Sequence, residues 1–301
     1  MNHGAIRLIK EIHDEARLTA RPVISFEFFP PKTPAGYESF FNATLPALLE
    51  TKPDFCSVTY GAGGGTREAT LDIVERIQRD FSLTTLMHLT CVNATKEELR
   101  SVIQDARSRG VRNLLALRGD PPGGSGDFIP AEGGFQFSRE LVAFIRELDG
   151  FDIGTAGFPE GHIACKAGKQ TDWGYLAEKV QAGASFVVTQ LFFDNADYFE
   201  FRDYLTNKLG VEVPLIPGLM PIISRNQTKR FVSMCGAKLP GAFLERLEEL
   251  GDNDDAVVEY GIEYCAQQCR ELLAAGAPGI HFYTLNKAYS TLEVLKRLSL
   301  G

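Results

Sequence analysis

Short apolar runs alternate with segments of helical periodicity along the whole chain. The run 114–117 shows the pattern most clearly, because it is too short for a helix and fits a parallel strand covered on both faces. Eight such strands are predicted, at about residues 22–29, 54–60, 84–92, 114–117, 153–158, 185–193, 213–219 and 279–285. Helices are predicted at about residues 36–50, 69–81, 137–149, 172–182 and 288–298. Another helix is predicted to begin after Thr95, where Glu98 completes a capping box. Two or three further helices are predicted across residues 225–275.

This alternation predicts an α/β fold with a parallel sheet. Eight βα units without a break in composition favour a closed (β/α)8 TIM barrel, with residues 1–301 in one domain, a helix within residues 1–21, and additional helices before strand eight. The alternative is a doubly wound sheet of eight strands. Such a sheet usually carries a G-x-G-x-x-G turn after its first strand, whereas this chain has Phe29-Pro30-Pro31-Lys32-Thr33-Pro34 there, so we expect the barrel.

The amino-acid composition limits the kinds of partner that the protein is expected to bind. The net charge is −8 and no dense cluster of Lys and Arg is present, which disfavours binding to nucleic acid or to an anionic membrane. The first 21 residues lack the apolar core of a signal peptide, and no later run approaches the ~18 apolar residues of a membrane span, so we expect a cytoplasmic protein. The six cysteines form no C-x-x-C pair, and Cys265 and Cys269, one helical turn apart, are expected to pack in the core rather than bind zinc.

Polar and charged residues cluster where the predicted strands end. In a (β/α)8 barrel the site is built at the carboxyl ends of the strands, so these residues are candidates for chemistry or binding. In chain order they are Glu27, Thr59, Tyr60, His88, Arg118, Asp120, Glu160, His162, Gln190, Tyr283 and Asn286.

Glu27 stands between Phe26 and Phe28 on a predicted core strand. A charged carboxylate is costly to bury, so burial would favour the neutral acid, which can donate a proton at neutral pH. The alternative is an ion pair with an Arg or Lys inside the barrel. His88 is either a core residue or a ligand contact, and His162, in a loop after a glycine, is the more plausible contact.

The spacing of residues in the sequence also indicates whether a metal site or a phosphate site is expected. No H-x-H or H-x-x-x-H pattern is present, so we expect no catalytic metal. The loop Gly61–Gly65 could cradle a phosphate or be a plain connection. The helix near Asp172, with Lys169 and Lys179, could meet a diphosphate or be a solvated face.

Seven stretches together resemble one family. They are Ser25-Phe26-Glu27-Phe28-Phe29-Pro30-Pro31-Lys32-Thr33, Ser57-Val58-Thr59-Tyr60-Gly61-Ala62, His88-Leu89-Thr90-Cys91, Leu115-Ala116-Leu117-Arg118-Gly119-Asp120-Pro121, Gly157-Phe158-Pro159-Glu160-Gly161-His162, Thr189-Gln190-Leu191-Phe192-Phe193-Asp194 and His281-Phe282-Tyr283-Thr284-Leu285-Asn286. In this order, from about residue 22 to 298, they are similar to the methylenetetrahydrofolate reductases.

The resemblance implies an FAD enzyme that reduces 5,10-methylenetetrahydrofolate to 5-methyltetrahydrofolate with NADH or NADPH. It implies that both half-reactions alternate at one flavin face, with hydride passing through flavin N5, and we expect a homo-oligomer. By resemblance, Glu27 is the acid that assists opening of the folate ring, Asp120 a carboxylate near flavin and pterin, and Gln190 an amide that orients folate and nicotinamide. Flavin contacts are implied at Thr59, Tyr60, Ala62, His88, Arg118, Gly119, Asp120, Ser138, Phe158, His162, Asp172 and Lys179, and folate contacts at Glu27, Thr59, Asp120, Gln190, Gln227 and Lys287.

The chain departs from the family pattern at three of these places. Phe158 stands where a Tyr is common, and Lys287 replaces an Arg expected at the folate tail. Glu178 stands where some members place an Arg near the FAD phosphates, so Lys166 or Lys169 is expected to substitute. Because the chain ends with the barrel, without the family's regulatory domain, we expect no inhibition by S-adenosylmethionine.

Two other functions compete with this interpretation. A barrel lyase would need a Schiff-base lysine, but no Lys lies inside a predicted strand. A catalytically silent subunit could keep the pterin pocket and lose the flavin. Flavin absorbance of the purified protein distinguishes the reductase from both.

Overall fold

A computed structural model describes residues 6–60, 67–121, 128–222, 224, 232 and 236–299. The predicted contacts Ala62 and Gln227 lie outside the described residues, as does the loop Gly61–Gly65. No described helix has both the length and the apolar character that crossing a membrane requires.

The strands form one parallel sheet that curls into a barrel. They are β1 (Val23–Phe28), β2 (Phe55–Val58), β3 (Thr84–Thr90), β4 (Asn113–Leu117), β5 (Asp152–Gly157), β6 (Phe186–Thr189), β7 (Leu215–Ile216), β8 (Gly218–Leu219) and β9 (Gly279–Tyr283). Their order is β7-β6-β5-β4-β3-β2-β1-β9-β8. Since only Pro217 separates β7 from β8, the two ends of this order meet, which confirms the (β/α)8 barrel and rejects the doubly wound sheet.

The predicted seventh strand changes partner at Pro217. Its first half pairs with β6 and its second half with β9. Beyond the proline, the Gly218 amide donates to the Thr189 hydroxyl over 2.9 Å, and the Tyr283 hydroxyl donates to the Thr189 carbonyl over 2.5 Å. A Cβ on Gly218 would stand 2.4 Å from that carbonyl oxygen, so only glycine allows this close approach. We call this junction of β6, β8 and β9 the seam.

Helices surround the barrel. They are α1 (Ile9–Leu18), α2 (Pro34–Ser39), α3 (Leu45–Leu49), α4 (Arg67–Phe81), α5 (Lys96–Ser108), α6 (Ser138–Leu148), α7 (Lys169–Ala182), α8 (Asn195–Leu209), α9 (Gly241–Leu250), α10 (Asp254–Ala274) and α11 (Tyr289–Arg297). The predicted single helix 36–50 is divided by a π turn at Phe40–Thr44. Pro46 lacks an N–H, so it cannot donate to the carbonyl four residues earlier, which accounts for the irregular ladder. Cys265 and Cys269 are both buried on α10, as expected of packing residues.

Helix α8 is absent from the helices predicted from the sequence. Strand β6 ends at Thr189 instead of near residue 193, and α8 begins after Asp194, whose side chain accepts from the Ala196 amide over 2.9 Å. The helix ends at Gly210, which has a left-handed conformation with φ of 65°. An N-cap aspartate and a C-terminal glycine were therefore available as signals in the sequence.

Helix α1 closes the amino-terminal end of the barrel. Its buried residues Ile9, Ile12 and Ala16 belong to one apolar cluster with the inward-facing side chains of the strands, namely Val23, Phe55, Leu86, Leu115, Phe186, Val188 and Ile216. The first amides of α1 are satisfied by the barrel itself. The Ile9 amide donates to Asn113 over 2.9 Å and the Lys10 amide to the Asp152 carboxylate over 2.6 Å.

Replacing Asp152 with alanine should destabilise the protein by about 1–3 kcal/mol, because the Lys10 amide loses its acceptor and the Ser185 hydroxyl keeps only the Ile153 carbonyl of its two acceptors. Urea unfolding followed by circular dichroism measures this loss. Asp152→Asn is the matched control, since its amide oxygen can still accept from Lys10 and its NH2 can donate to Ser185. An equal loss of stability in both variants would contradict the capping role.

Candidate active site

The candidate residues lie at the end of the barrel opposite to α1. Glu27 is the last residue but one of β1, while Arg118, Phe158 and Gln190 directly follow β4, β5 and β6. Because all these strands are parallel, their carboxyl ends form one mouth. The placement of chemically reactive side chains predicted from the sequence is therefore observed.

Glu27 is buried, with 7% of its surface exposed. Its carboxylate accepts from the Ser57 hydroxyl over 3.4 Å and lies 3.4 Å from His88 Nε2 and 3.8 Å from His281 Nε2. Among the described residues no Lys or Arg nitrogen lies within 4 Å of it. The alternative interpretation of Glu27, an ion pair with a Lys or Arg inside the barrel, is therefore not observed among the described residues.

His88 is buried beside this carboxyl group. Burial lowers the pKa of its imidazole to about 4, an effect that exceeds the opposing influence of Glu27. His88 is therefore neutral at neutral pH, and its Nε2 makes no hydrogen bond to a described residue. As a result, Glu27 faces no fixed positive charge on this side.

His281, like Ser57, belongs to this cluster although sequence reasoning did not single it out. Its Nδ1 lies 2.8 Å from the Ser25 hydroxyl and its Nε2 lies 3.3 Å from the Ser57 hydroxyl. Parallel pairing sets Ser25 opposite His281 and Glu27 opposite both Ser57 and Tyr283. Because His281 and Tyr283 are two residues apart on a strand, the sequence indicates that both side chains point to the same face. The contacts of His281 with Ser25 and Ser57 could not be predicted, because they depend on the register between strands that are distant in sequence.

A second cluster forms between the ends of β4 and β5 and helix α7. Burial lowers the pKa of His162; the nearby carboxylates of Asp172 and Asp120 oppose this, while Arg118 and Lys179 add to it. The His162 amide donates to Asp172 over 3.1 Å, and its Nδ1 accepts from the Ala164 amide over 3.0 Å, which assigns the ring hydrogen to Nε2 when the imidazole is neutral. The structure thus brings together five of the predicted site residues.

Two cations in this cluster lack a close counter-ion. The Lys179 ammonium donates to the Ala156 carbonyl over 2.8 Å, and burial lowers its pKa to about 8. The Arg118 guanidinium lies 4.9 Å from the centroid of the Phe128 ring. Within the described ranges neither group has a carboxylate oxygen within 4 Å, so this part of the mouth suits an anion such as a phosphate group.

Glu178 and the two lysines expected to substitute near the FAD phosphates each have a partner within the protein. Glu178 on α7 forms an ion pair with Arg139 of α6, next to the predicted contact Ser138. Lys169 pairs with Glu200 over 2.5 Å, and the Lys166 ammonium donates to the Ile163 carbonyl over 3.2 Å. Arg139, which sequence reasoning did not propose, is thus the cation directly beside the departure at Glu178.

The remaining predicted contacts border the mouth. Thr59 follows β2, and the Tyr60 hydroxyl accepts from Arg67 over 2.9 Å. The Gln190 side-chain oxygen accepts from the Leu191 amide over 2.8 Å, and its NH2 group donates to no described residue. Gly119 is half-buried, Phe158 packs edge-on against His162 with ring centroids 4.6 Å apart, and Asp120 and Lys287 are exposed.

Comparison with known proteins places this chain in a family. The family model for methylenetetrahydrofolate reductase matches residues 11–299. The chain belongs to the methylenetetrahydrofolate reductase family. This confirms the resemblance drawn from the seven sequence motifs.

Members of the family differ in length. Methylenetetrahydrofolate reductase (NADH) 1 of Arabidopsis thaliana is 41% identical over 286 residues, which cover 92% of this chain and 48% of that protein. The 5,10-methylenetetrahydrofolate reductase of Escherichia coli strain K12 is 36% identical over 275 residues, which cover 91% of this chain and 90% of that protein. The chain spans about half the length of the plant relatives it matches.

A solved structure shares the fold at much lower identity. It is an uncharacterized protein from Clostridium thermocellum that binds two copies of 5-methyl-5,6,7,8-tetrahydrofolic acid. It superimposes with a TM-score of 0.66 at 15% identity and covers 95% of this chain and 96% of that chain. This likeness supports the barrel architecture alone.

Proposed function

We propose that this barrel reduces 5,10-methylenetetrahydrofolate to 5-methyltetrahydrofolate with FAD as cofactor and NADH or NADPH as electron donor. The observation that carries the proposal is the buried Glu27 carboxyl group at the mouth, free of Lys and Arg among its described neighbours. Family membership supports the substrate class. A cytoplasmic location and a homo-oligomeric state belong to the same proposal.

Glu27 has the surroundings that the folate chemistry needs. The five-membered ring of the substrate opens to a reactive iminium when one of its nitrogens is protonated, so a neutral acid must be present in a water-poor site. The Glu27 carboxyl group is buried beside the Ser57 hydroxyl and the neutral His88, and among the described residues no Lys or Arg nitrogen lies within 4 Å of it. Glu27 would thus protonate the folate, and it has no part in accepting electrons.

Other residues would hold the ligands. Bound FAD would supply the hydride chemistry between the nicotinamide and the folate. Lys179 and Arg118 would hold its diphosphate, and the free NH2 group of Gln190 would orient the folate and the nicotinamide in turn. Asp120, exposed at the end of β4, would meet the polar edge of the pterin.

The proposal is tested on purified protein. We expect flavin absorbance, which NADH or NADPH bleaches under anaerobic conditions and 5,10-methylenetetrahydrofolate then restores, with 5-methyltetrahydrofolate as product. Single-turnover rates with each nucleotide establish which one is preferred. Protein that is colourless and cannot be reconstituted with FAD, yet binds a reduced pterin, would reject the reductase in favour of a silent binding subunit.

Replacing Lys179 with methionine should weaken FAD binding by about tenfold or more, because a desolvated cation is lost while its apolar stem is kept. The affinity of the unmodified apoprotein for FAD should also fall as the pH rises from 7 to 9. The sign follows from the lowered pKa of about 8, since the free lysine loses its charge within that range. Fluorescence titration of FAD at each pH measures both effects.

Lys208→Met is the control for this variant, because it removes the same charge from an exposed position on α8. Its affinity and its pH dependence should match those of the unmodified protein. A Lys179→Met variant whose FAD affinity still falls between pH 7 and 9 would remove Lys179 from the phosphate site.

A further inference from the structure

We propose that Glu27 shares a proton with His281 through Ser57, so that a buried chain of hydrogen bonds stores the proton that folate reduction consumes. This inference rests on the proposed function and assigns His281 and Ser57 as positioning residues for it. Neither residue is among the ligand contacts implied by the family resemblance.

The chain is continuous across three neighbouring strands. From β9, His281 Nε2 lies 3.3 Å from Ser57 Oγ on β2, and Ser57 Oγ lies 3.4 Å from Glu27 Oε2 on β1. The direct distance from His281 Nε2 to Glu27 Oε2 is 3.8 Å, beyond an ordinary hydrogen bond, so Ser57 is the link. At the far end, the Ser25 hydroxyl fixes His281 Nδ1 over 2.8 Å.

The two ring nitrogens of His281 therefore both meet hydroxyl groups. A hydroxyl can donate or accept, so the same heavy-atom positions suit a neutral or a charged imidazole. With His281 charged, both its N–H groups donate, to Ser25 and Ser57, and Ser57 donates to an ionised Glu27. With His281 neutral, its Nδ1–H donates to Ser25, and Ser57 donates to Nε2 while accepting from a protonated Glu27.

These two arrangements differ by one proton transfer that conserves charge. The Nε2–H bond of His281 breaks as its proton passes to Ser57 Oγ, and the original Ser57 proton passes to Glu27 Oε2. The products are a neutral imidazole and a neutral carboxylic acid. When Glu27 then gives this proton to the folate nitrogen, the proton that His281 held has reached the substrate through Ser57. Glu27 is left ionised and His281 neutral until the pair takes up one proton from solvent.

Few charged groups compete within this cluster. Among the described residues, the titratable side chains that face His281 are Glu27 from β1, His88 from β3 and Tyr283 on its own strand. Phe55 of β2 stacks on the ring, with centroids 6.1 Å apart and planes 18° apart. His88 is neutral, so among the described residues Glu27 is the group whose charge balances an imidazolium at His281.

The test compares Ser57→Ala and His281→Gln in separate half-reactions followed by stopped-flow absorbance of the flavin. In each variant we expect oxidation of the reduced flavin by methylenetetrahydrofolate to slow by about tenfold or more and to acquire a different pH profile. Reduction of the flavin by the nicotinamide should change by less than about twofold, since that step takes no proton from Glu27. The double variant should be no slower than the slower single variant, because both changes break one chain.

Ser290→Ala is the control, because it removes a buried serine hydroxyl on α11 that is not part of the chain. It should leave both half-reactions and their pH profiles unchanged. Losses in the two single variants that multiply in the double variant, or an unchanged pH profile for Ser57→Ala, would overturn the chain while wild-type turnover still supported the proposed function. Failure of the wild type to bind FAD or to reduce the folate would instead reject the proposed function itself.

Discussion

Glu27→Gln should slow the folate half-reaction by about 10²–10⁴-fold and leave the reduction of flavin by the nicotinamide nearly unchanged. Glutamine keeps the shape of the side chain and can still accept from Ser57, but it has no proton to give to the folate nitrogen. The two half-reactions separate these effects, because only the folate half needs an acid. Anaerobic stopped-flow traces at the flavin absorbance maximum measure each rate directly.

The matched control is Glu212→Gln, which makes the same chemical change at an exposed position before β7. Its rates should equal those of the unmodified enzyme. Equal losses in both half-reactions of Glu27→Gln would show that the side chain holds the flavin or the fold instead of acting as an acid.

Gly154→Ala should give a large loss of stability, about 1–3 kcal/mol or more. A Cβ at this position of β5 would stand 2.3 Å from the Phe186 ring and 2.9 Å from a methyl group of Leu115. Phe186 is fully buried in the barrel, so the ring cannot move aside without disturbing the inner cluster. Urea or thermal unfolding measures the loss.

Gly174→Ala provides the opposite expectation from the same substitution. Gly174 lies in α7, and an added Cβ would have no described heavy atom within 4 Å apart from its chain neighbours and the backbone of its own helix, so alanine should stabilise the protein by about 0.5–1 kcal/mol. In addition, Phe186→Leu should partly restore Gly154→Ala, since the clash is with that ring. Similar effects at the two glycines would contradict the account of packing inside the barrel.

The fold was largely predictable from the sequence because each strand carries a local signal. Apolar runs predicted the strands of the barrel, and Thr95 and Glu98 form the expected reciprocal cap, with bonds of 3.2 and 2.8 Å. The errors occurred where a single residue outweighs the pattern. Pro217 divides one strand, and the run after Thr189 is apolar although the strand ends there.

The site was predictable where one residue conflicts with its surroundings and unpredictable where partners come from different strands. Glu27 between two phenylalanines is such a conflict, and burial of its side chain is observed. His281 gives no comparable signal, since its contacts with Ser25 and Ser57 depend on the register of β1, β2 and β9. The same limit applies to Arg139, whose partner Glu178 lies on the next helix.

The seam affects how easily the barrel wall can deform to admit ligands of different shape. Elsewhere in the described barrel wall, neighbouring strands pair through main-chain hydrogen bonds. After Pro217, the hydrogen bonds that join β6 to β8 and β9 involve the hydroxyls of Thr189 and Tyr283. Rotation of these two side chains would break the two hydrogen bonds without breaking a main-chain ladder between strands. The wall can therefore open beside Gln190 without loss of a strand pairing, which would let this edge of the mouth admit ligands of different shape.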